Sequence, residues 1–250
     1  MAGTILGSRL HLEPFTSDRT AGDGDRQAVL LALTTEHFTL QTARAITVND
    51  SNGPTTLYLG SLSSSLVALA LIAQQPQLGG TVLVFALTVL PAPLFLGLVT
   101  YVRVLQSSIE DILYARAINR IRHYYTEIDP QQAHYFLLSG RDDVRGALQN
   151  MYLRDSWTQL LFTLPSAVAM INALLAGMTV AVAVVLAMGA APLVAMVAGA
   201  SLGSAALALH VAYQAHRFTQ MKAAVEAAEL PGACRTCGWR AMASWGRTAY

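Results

Sequence analysis

Two long stretches of this chain carry no Asp, Glu, Lys or Arg: Ser51 to Val102 and Ser156 to His216. One bilayer crossing takes roughly 20 apolar residues. Each stretch is too long for one crossing and about right for two. Each also breaks near its middle, at Gln74-Gln75-Pro76-Gln77-Leu78-Gly79-Gly80 in the first and at Gly189-Ala190-Ala191-Pro192 in the second. Both breaks have the composition of turns. The expected spans are about 56–73, 81–102, 158–188 and 192–213. A soluble protein with two buried core helix pairs is the competing reading, but charge-free runs of this length are out of keeping with it. Composition agrees. Hydrophobic residues make up 54% and charged residues 12%, about half the usual charged share of ~25%.

The basic residues orient the chain. Four precede the first span, seven lie between the second and third, five follow the fourth, and the two turns have none. Lys and Arg accumulate on the cytoplasmic side of membrane proteins. Tyr58, Tyr101, Trp157 and Tyr213 fall at the charged ends of the four spans, where an interfacial aromatic belt is expected. The expected fold class is therefore an all-α integral membrane protein. Its four transmembrane helices form two hairpins with cytoplasmic helical extensions. The expected location is the cell membrane, multi-pass, with the N- and C-termini cytoplasmic. Fifteen arginines against the single lysine Lys222 point to a GC-rich, bacterial source.

The rest divides as follows. Residues 1–25 are expected to be a disordered tail, because 16–25 is rich in Gly, Ser, Thr and Asp with little to bury; Met1 to Phe15 has only short apolar pieces interrupted by Arg9, His11 and Glu13, so no secretory leader is expected there. A cytoplasmic helix is expected within 26–53, broken by Asn49-Asp50-Ser51-Asn52-Gly53-Pro54. The first membrane hairpin occupies 54–102. A cytoplasmic helical region follows over 103–156, because 103–128 lacks Gly and Pro and carries an apolar stripe. Shorter helices are expected over 131–138 and 141–156. The second hairpin occupies 157–213, a cytoplasmic helix 214–230 and a flexible tail 231–250.

Small residues recur at four-residue spacing within the spans, where they let helix backbones approach closely. Gly60 and Ala68 lie in the first span, Ala173 and Gly177 in the third, Gly199 and Gly203 in the fourth. They serve packing within one chain or between copies. Pro91, Pro93 and Pro165 are expected to kink spans two and three. No Asp, Glu, Lys or Arg lies in a span, which disfavours proton or ion coupling. The polar residues that could line a pore are Ser61, Ser64 and Ser65 in span one and Asn172 in span three. Otherwise they bond neighbouring helices.

Arg116, Arg120 and His123 share one face of the expected extension of span two. They suit an acidic cytoplasmic partner or an anion, or else a solvated face answered by Glu127, Asp142 and Asp143. Cys234 and Cys237 have half the spacing of a zinc site, with no further cysteine to complete it. No catalytic motif is found, so no enzyme activity, cofactor or nucleic-acid partner is expected. These features lead to a homo-oligomeric membrane protein forming a small channel or pore, with the cytoplasmic helices as an assembly or sensing module. The alternative is a membrane-anchored scaffold or signalling protein that binds its partner through the basic helix face.

Overall fold

The computed structural model describes residues 23–75, 79–154 and 156–229. Among these all regular structure is helical: α1 Asp23–Ala73, α2 Gly79–Val89, α3 Pro91–Ile128, a 3-10 helix Pro130–Tyr135, α4 Val144–Asn150, α5 Trp157–Leu161, α6 Leu164–Met188 and α7 Pro192–Glu229. Four helical segments are long and apolar enough to cross a membrane: α1, the α2–α3 unit, α6 and α7. Residues 1–22 of the expected N-terminal tail, the C-terminal tail and the Cys234–Cys237 pair lie outside the described residues, as does the centre of the first turn at 76–78; residues 23–25, expected in the tail, already belong to α1.

The helix α1 has 51 residues, about 76 Å at 1.5 Å each. That is more than twice a hydrocarbon core of about 30 Å. The sequence led us to expect a break at Asn49–Pro54, and there is none. Pro54 removes one backbone donor within the helix, and its own carbonyl accepts from Thr100 Oγ1 at 3.3 Å. Neighbouring hydroxyls reinforce the same turns: Ser51 Oγ donates to the Thr47 carbonyl at 3.3 Å and Thr55 Oγ1 to the Ser51 carbonyl at 2.7 Å. Side contacts along α3 thus override the local breaker, as they do in packed membrane helices.

The α2–α3 unit is interrupted at Leu90, which keeps helical angles of φ −62° and ψ −31°. Backbone bonds from Leu90 to Ala86 and from Leu94 to Leu90 carry the helix past Pro91 and Pro93. Pro165 corrects our expectation. It sits in the first turn of α6 after the cap residue Thr163, where a missing N–H costs nothing, so it starts a helix rather than kinking one. The third apolar helix accordingly begins at Leu164, not 158, and its 25 residues give about 37 Å, longer than a hydrocarbon core of about 30 Å. At its other end Gly189 adopts φ +57° and its N–H bonds the Val185 carbonyl, a left-handed cap that glycine takes without Cβ strain.

Helices α1 and α3 run antiparallel over a long contact. Thr34 meets Tyr125, Arg44 meets Asp111, Asp50 meets Arg103 and Pro54 meets Thr100. Helices α6 and α7 are likewise antiparallel, with Gly177 against Gly199 and Ala173 against Gly203. The central element is α3, which packs against α1, α6 and α4. The expected helix over 141–156 is shorter than its pattern suggested. After Asn150 the N–H of Leu153 bonds the Leu148 carbonyl and that of Tyr152 the Gln149 carbonyl, with Tyr152 at φ +57°. This double reversal is a Schellman-type stop. The expected 131–138 helix is a 3-10 segment, Pro130–Tyr135, started by the Asp129 carboxylate accepting from the Gln131 N–H.

Candidate functional site

Among the described residues, three clusters of polar side chains link helices within the apolar segments. In the first, Asn172 of α6 meets α1 and α3. Tyr58 Oη donates to Asn172 Oδ1 at 2.9 Å, and both residues are at most 1% exposed. Gly97 of α3 makes room for them. A Cβ there would stand 1.9 Å from Asn172 Oδ1 and 2.7 Å from Tyr58 Cε2, so only glycine admits this junction. Asn172 Nδ2 is buried without a bonding partner.

In the second cluster, Tyr101 of α3 donates to the His210 carbonyl of α7 at 2.5 Å, and its ring meets the His210 ring edge-on at 4.6 Å. The His210 Nδ1 in turn stands 2.7 Å from the Ala206 carbonyl. In the third, Gln214 of α7 holds the start of α6. Its Nε2 donates to Thr163 Oγ1 at 3.1 Å and to the Leu160 carbonyl at 3.3 Å, while its Oε1 accepts from Ser166 Oγ at 3.2 Å. These bonds satisfy groups released where α5 ends and α6 begins.

The expected belt is corrected here. Tyr58 and Tyr101 are 0% and 3% exposed, so they are core residues whose hydroxyls find partners on other helices. Tyr213 stays partly exposed. The signal for the core role was present in the sequence: a lone amide deep in an apolar run needs a partner, and a phenol in a facing run can supply one. Gln214 was missed because it follows the last expected span.

The expected pore residues separate. Asn172 and Ser65 belong to the chain's interior; Ser65 Oγ donates to the Ser61 carbonyl at 2.8 Å. Ser61 is half-buried, and Ser64 faces outward beside the exposed Ser63. Of the packing residues, Ala173, Gly177, Gly199 and Gly203 meet within the chain. A Cβ on Gly177 would come 2.7 Å from the Gly199 carbonyl oxygen, and one on Gly199 would come 2.6 Å from that of Gly177. Ala68 is half-buried. Gly60 has nothing within 4 Å of a built Cβ.

At the charged end, the basic face resolves into an internal network. Arg116 is 5% exposed. Its Nε lies 3.1 Å from Asp142 Oδ1, and Arg120 Nε binds Asp142 Oδ2 at 2.5 Å. Below them Asn119 Nδ2 donates to the Arg141 carbonyl, and Asn119 Oδ1 accepts from Arg122 and from Asn150. The loop carrying Asp142 is thus clamped to α3. The expectation that all three residues present themselves to a partner is corrected: Arg116 is inside, and His123, still exposed, faces Glu127 at 3.4 Å. Burial holds Arg122 below the ordinary arginine value. Burial works to raise the Asp143 carboxyl, but bonds from Arg141 and the Gly146 N–H, with the charges of Arg141 and Arg145, hold it below the usual range. Burial, then the charge of Arg122, lowers His37, which stacks on Tyr125.

Between the network and the apolar segments lies a groove of about 370 Å³, bounded by α3, α4, α5 and α7. Among the described residues no cluster of three or more His, Cys, Asp or Glu could hold a metal ion. Comparison with family models, curated proteins and solved structures found no match to this chain. Its reading therefore rests on its own geometry.

Proposed function

We propose that the chain is a multi-pass membrane protein whose copies assemble through the outward face of α1 into a small pore. The apolar segments form two membrane hairpins. Their charged ends, with the helical extensions, lie in the cytoplasm, as the Lys and Arg distribution favours. The observation that carries the reading is the outward placement of Gly60, Ser63 and Ser64. Hydroxyls facing lipid gain nothing, whereas a neighbouring copy or a water-filled path satisfies them. Only 11% of the most apolar window of α1, and the same share of α7, is buried within one chain, against 33% in α6. This leaves α1 and α7 free for lipid or further copies. Both helices carry exposed hydroxyls, Ser63 and Ser64 on α1 and Ser201 and Ser204 on α7; the exposed Gly60 beside the first pair, which lets a second backbone approach, favours α1.

The test is ion flux from liposomes containing the purified protein, alongside its mass in mild detergent. Expected are a defined oligomer and measurable flux, with Ser63→Leu/Ser64→Leu abolishing flux. A monomer that passes no ions would overturn the proposal.

A further inference from the structure

We infer that the part of α1 beyond the apolar zone is an assembly seam, in which Leu31 and Phe38 pack against the same residues of a second copy lying parallel. The inference rests on the assembly through α1 proposed above and names the segment that holds the copies together; it needs no pore. Asp50 pairs with Arg103, and Pro54 meets Thr100. Residues up to Asp50 therefore stand past the end of the charge-free run that begins at Ser51. From Gly24 to Asp50 this makes about 40 Å of helix in water. A helix there ordinarily turns a polar face to solvent. This one turns out Leu31, Phe38 and Ile46, which are 70%, 65% and 54% exposed. Its inner face is taken by α3, through Thr34, Arg44 and Asp50.

The outward face is uncharged and continuous. Leu31, Phe38, Thr42, Asn49, Gly53 and Gly60 fall within about 40° of one line along the helix, and all are exposed. From Leu31 to Ala73 the Asp, Glu and Arg residues are Glu36, Arg44 and Asp50, and they fall about 100° or more from that line. The threonines beside the two large side chains already spend their hydroxyls on their own helix. Thr35 Oγ1 donates to the Leu31 carbonyl at 3.0 Å and Thr42 Oγ1 to the Phe38 carbonyl at 2.9 Å. Covering this face thus strands neither donor and brings no like charges together. Asn49 can bond its own counterpart in a parallel pair, as a lone polar residue in an apolar seam does when it sets the register.

A second copy fits this face where another partner does not. The bilayer holds all copies at one height and one orientation, so parallel copies present Leu31 to Leu31, Phe38 to Phe38 and Gly60 to Gly60. A soluble partner covers only the aqueous length, and an acidic or basic one finds no charge on the line. From Leu31 to Ala73 the face runs about 64 Å, and a contact about 10 Å wide gives on the order of 640 Å² per copy. A stable interface takes roughly 800 Å² per partner. The aqueous length alone falls well short of that, so the seam and the membrane face work together.

Disulfide cross-linking of the full chain in liposomes tests this, in the Cys234→Ser/Cys237→Ser background. With Leu31→Cys or Phe38→Cys, mild oxidation should give at least ten-fold more linked dimer than with Glu36→Cys, on another side of the helix. Phe38→Glu should weaken association at least ten-fold in mild detergent at an unchanged melting temperature, and Phe38→Leu should keep it. Maleimide should label Phe38→Cys slowly in the oligomer and quickly in the monomer obtained by dilution. Equal linkage from Phe38→Cys and Glu36→Cys, or unchanged association in Phe38→Glu, would refute the seam. So would slow labelling in the monomer, which would assign the face to another segment of the same chain. Linked copies that pass no ions sink the pore reading alone. Ion flux from an oligomer that neither links through Leu31→Cys and Phe38→Cys nor responds to Phe38→Glu sinks this inference alone.

Discussion

The Tyr58 hydroxyl donates to the Asn172 side-chain oxygen across 2.9 Å, joining α1 to α6 at a point where α3 offers only a glycine. Three helices are thereby registered at one spot in the apolar zone. Side-chain hydrogen bonds between membrane helices contribute about 0.6–2 kcal/mol each. Tyr58→Phe should destabilise by about that amount in detergent unfolding. Gly97→Ala should cost more than Tyr58→Phe, since its methyl would collide with both partners. Combining Gly97→Ala with Asn172→Ala should recover part of the loss. Additive losses would show that the three residues do not form one junction.

The contact of Gly177 with Gly199 fixes how closely α6 and α7 approach. Gly177→Val should separate the helices and lower the melting temperature, with a cost of about 1–3 kcal/mol or more from overpacking. Gly60→Val, on an open face of α1, should leave the stability of a single chain unchanged. If the two variants melted alike, intrachain packing at Gly177 would be refuted.

Asp142 serves two arginines, one of them buried. Removing one partner of a buried ion pair costs about 3–5 kcal/mol. Asp142→Ala should approach that figure and release the loop from α3, read as faster hydrogen exchange over 136–143. His123→Ala, at an exposed pair, should cost at most about 1 kcal/mol. Equal effects would contradict the internal role assigned to Asp142.

His37 has a lowered pKa in the folded chain, so the unfolded chain binds the proton more readily. Its contribution to stability is complete above the unfolded value of about 6.5 and is lost as pH falls through the folded value. Hydrogen exchange in the first turns of α1 should therefore quicken as pH drops below about 6.5, after correction for intrinsic rates. His37→Gln should flatten that dependence. An unchanged dependence in the variant would assign it elsewhere.

Tyr152 holds the left-handed position of the helix stop after α4 while 93% exposed. Left-handed geometry costs a non-glycine residue about 1–2 kcal/mol. With little side-chain packing to lose, Tyr152→Gly should stabilise the protein by up to about 1 kcal/mol in thermal unfolding. A loss of stability would mean that the exposed ring makes contacts of its own.

The number and approximate limits of the apolar helices were legible in the sequence. A charge in hydrocarbon is expensive enough that its absence over 52 and 61 residues leaves few alternatives. What the sequence left open was direction around each helix axis. Tyr58 and Tyr213 sit alike at the charged ends of apolar runs, yet one is a core residue and the other partly exposed, because only the first faces an amide on another helix. Gly60 and Gly177 sit in similar small-residue patterns, yet one has open space and the other a backbone. Pro54 and Pro165 are both local breakers, yet one lies inside a continuous helix supported by α3 and the other begins a helix. Hydrophobicity is summed along a chain and can be read from it in one dimension. Pairing depends on rotation and register, which are decided only when the helices meet.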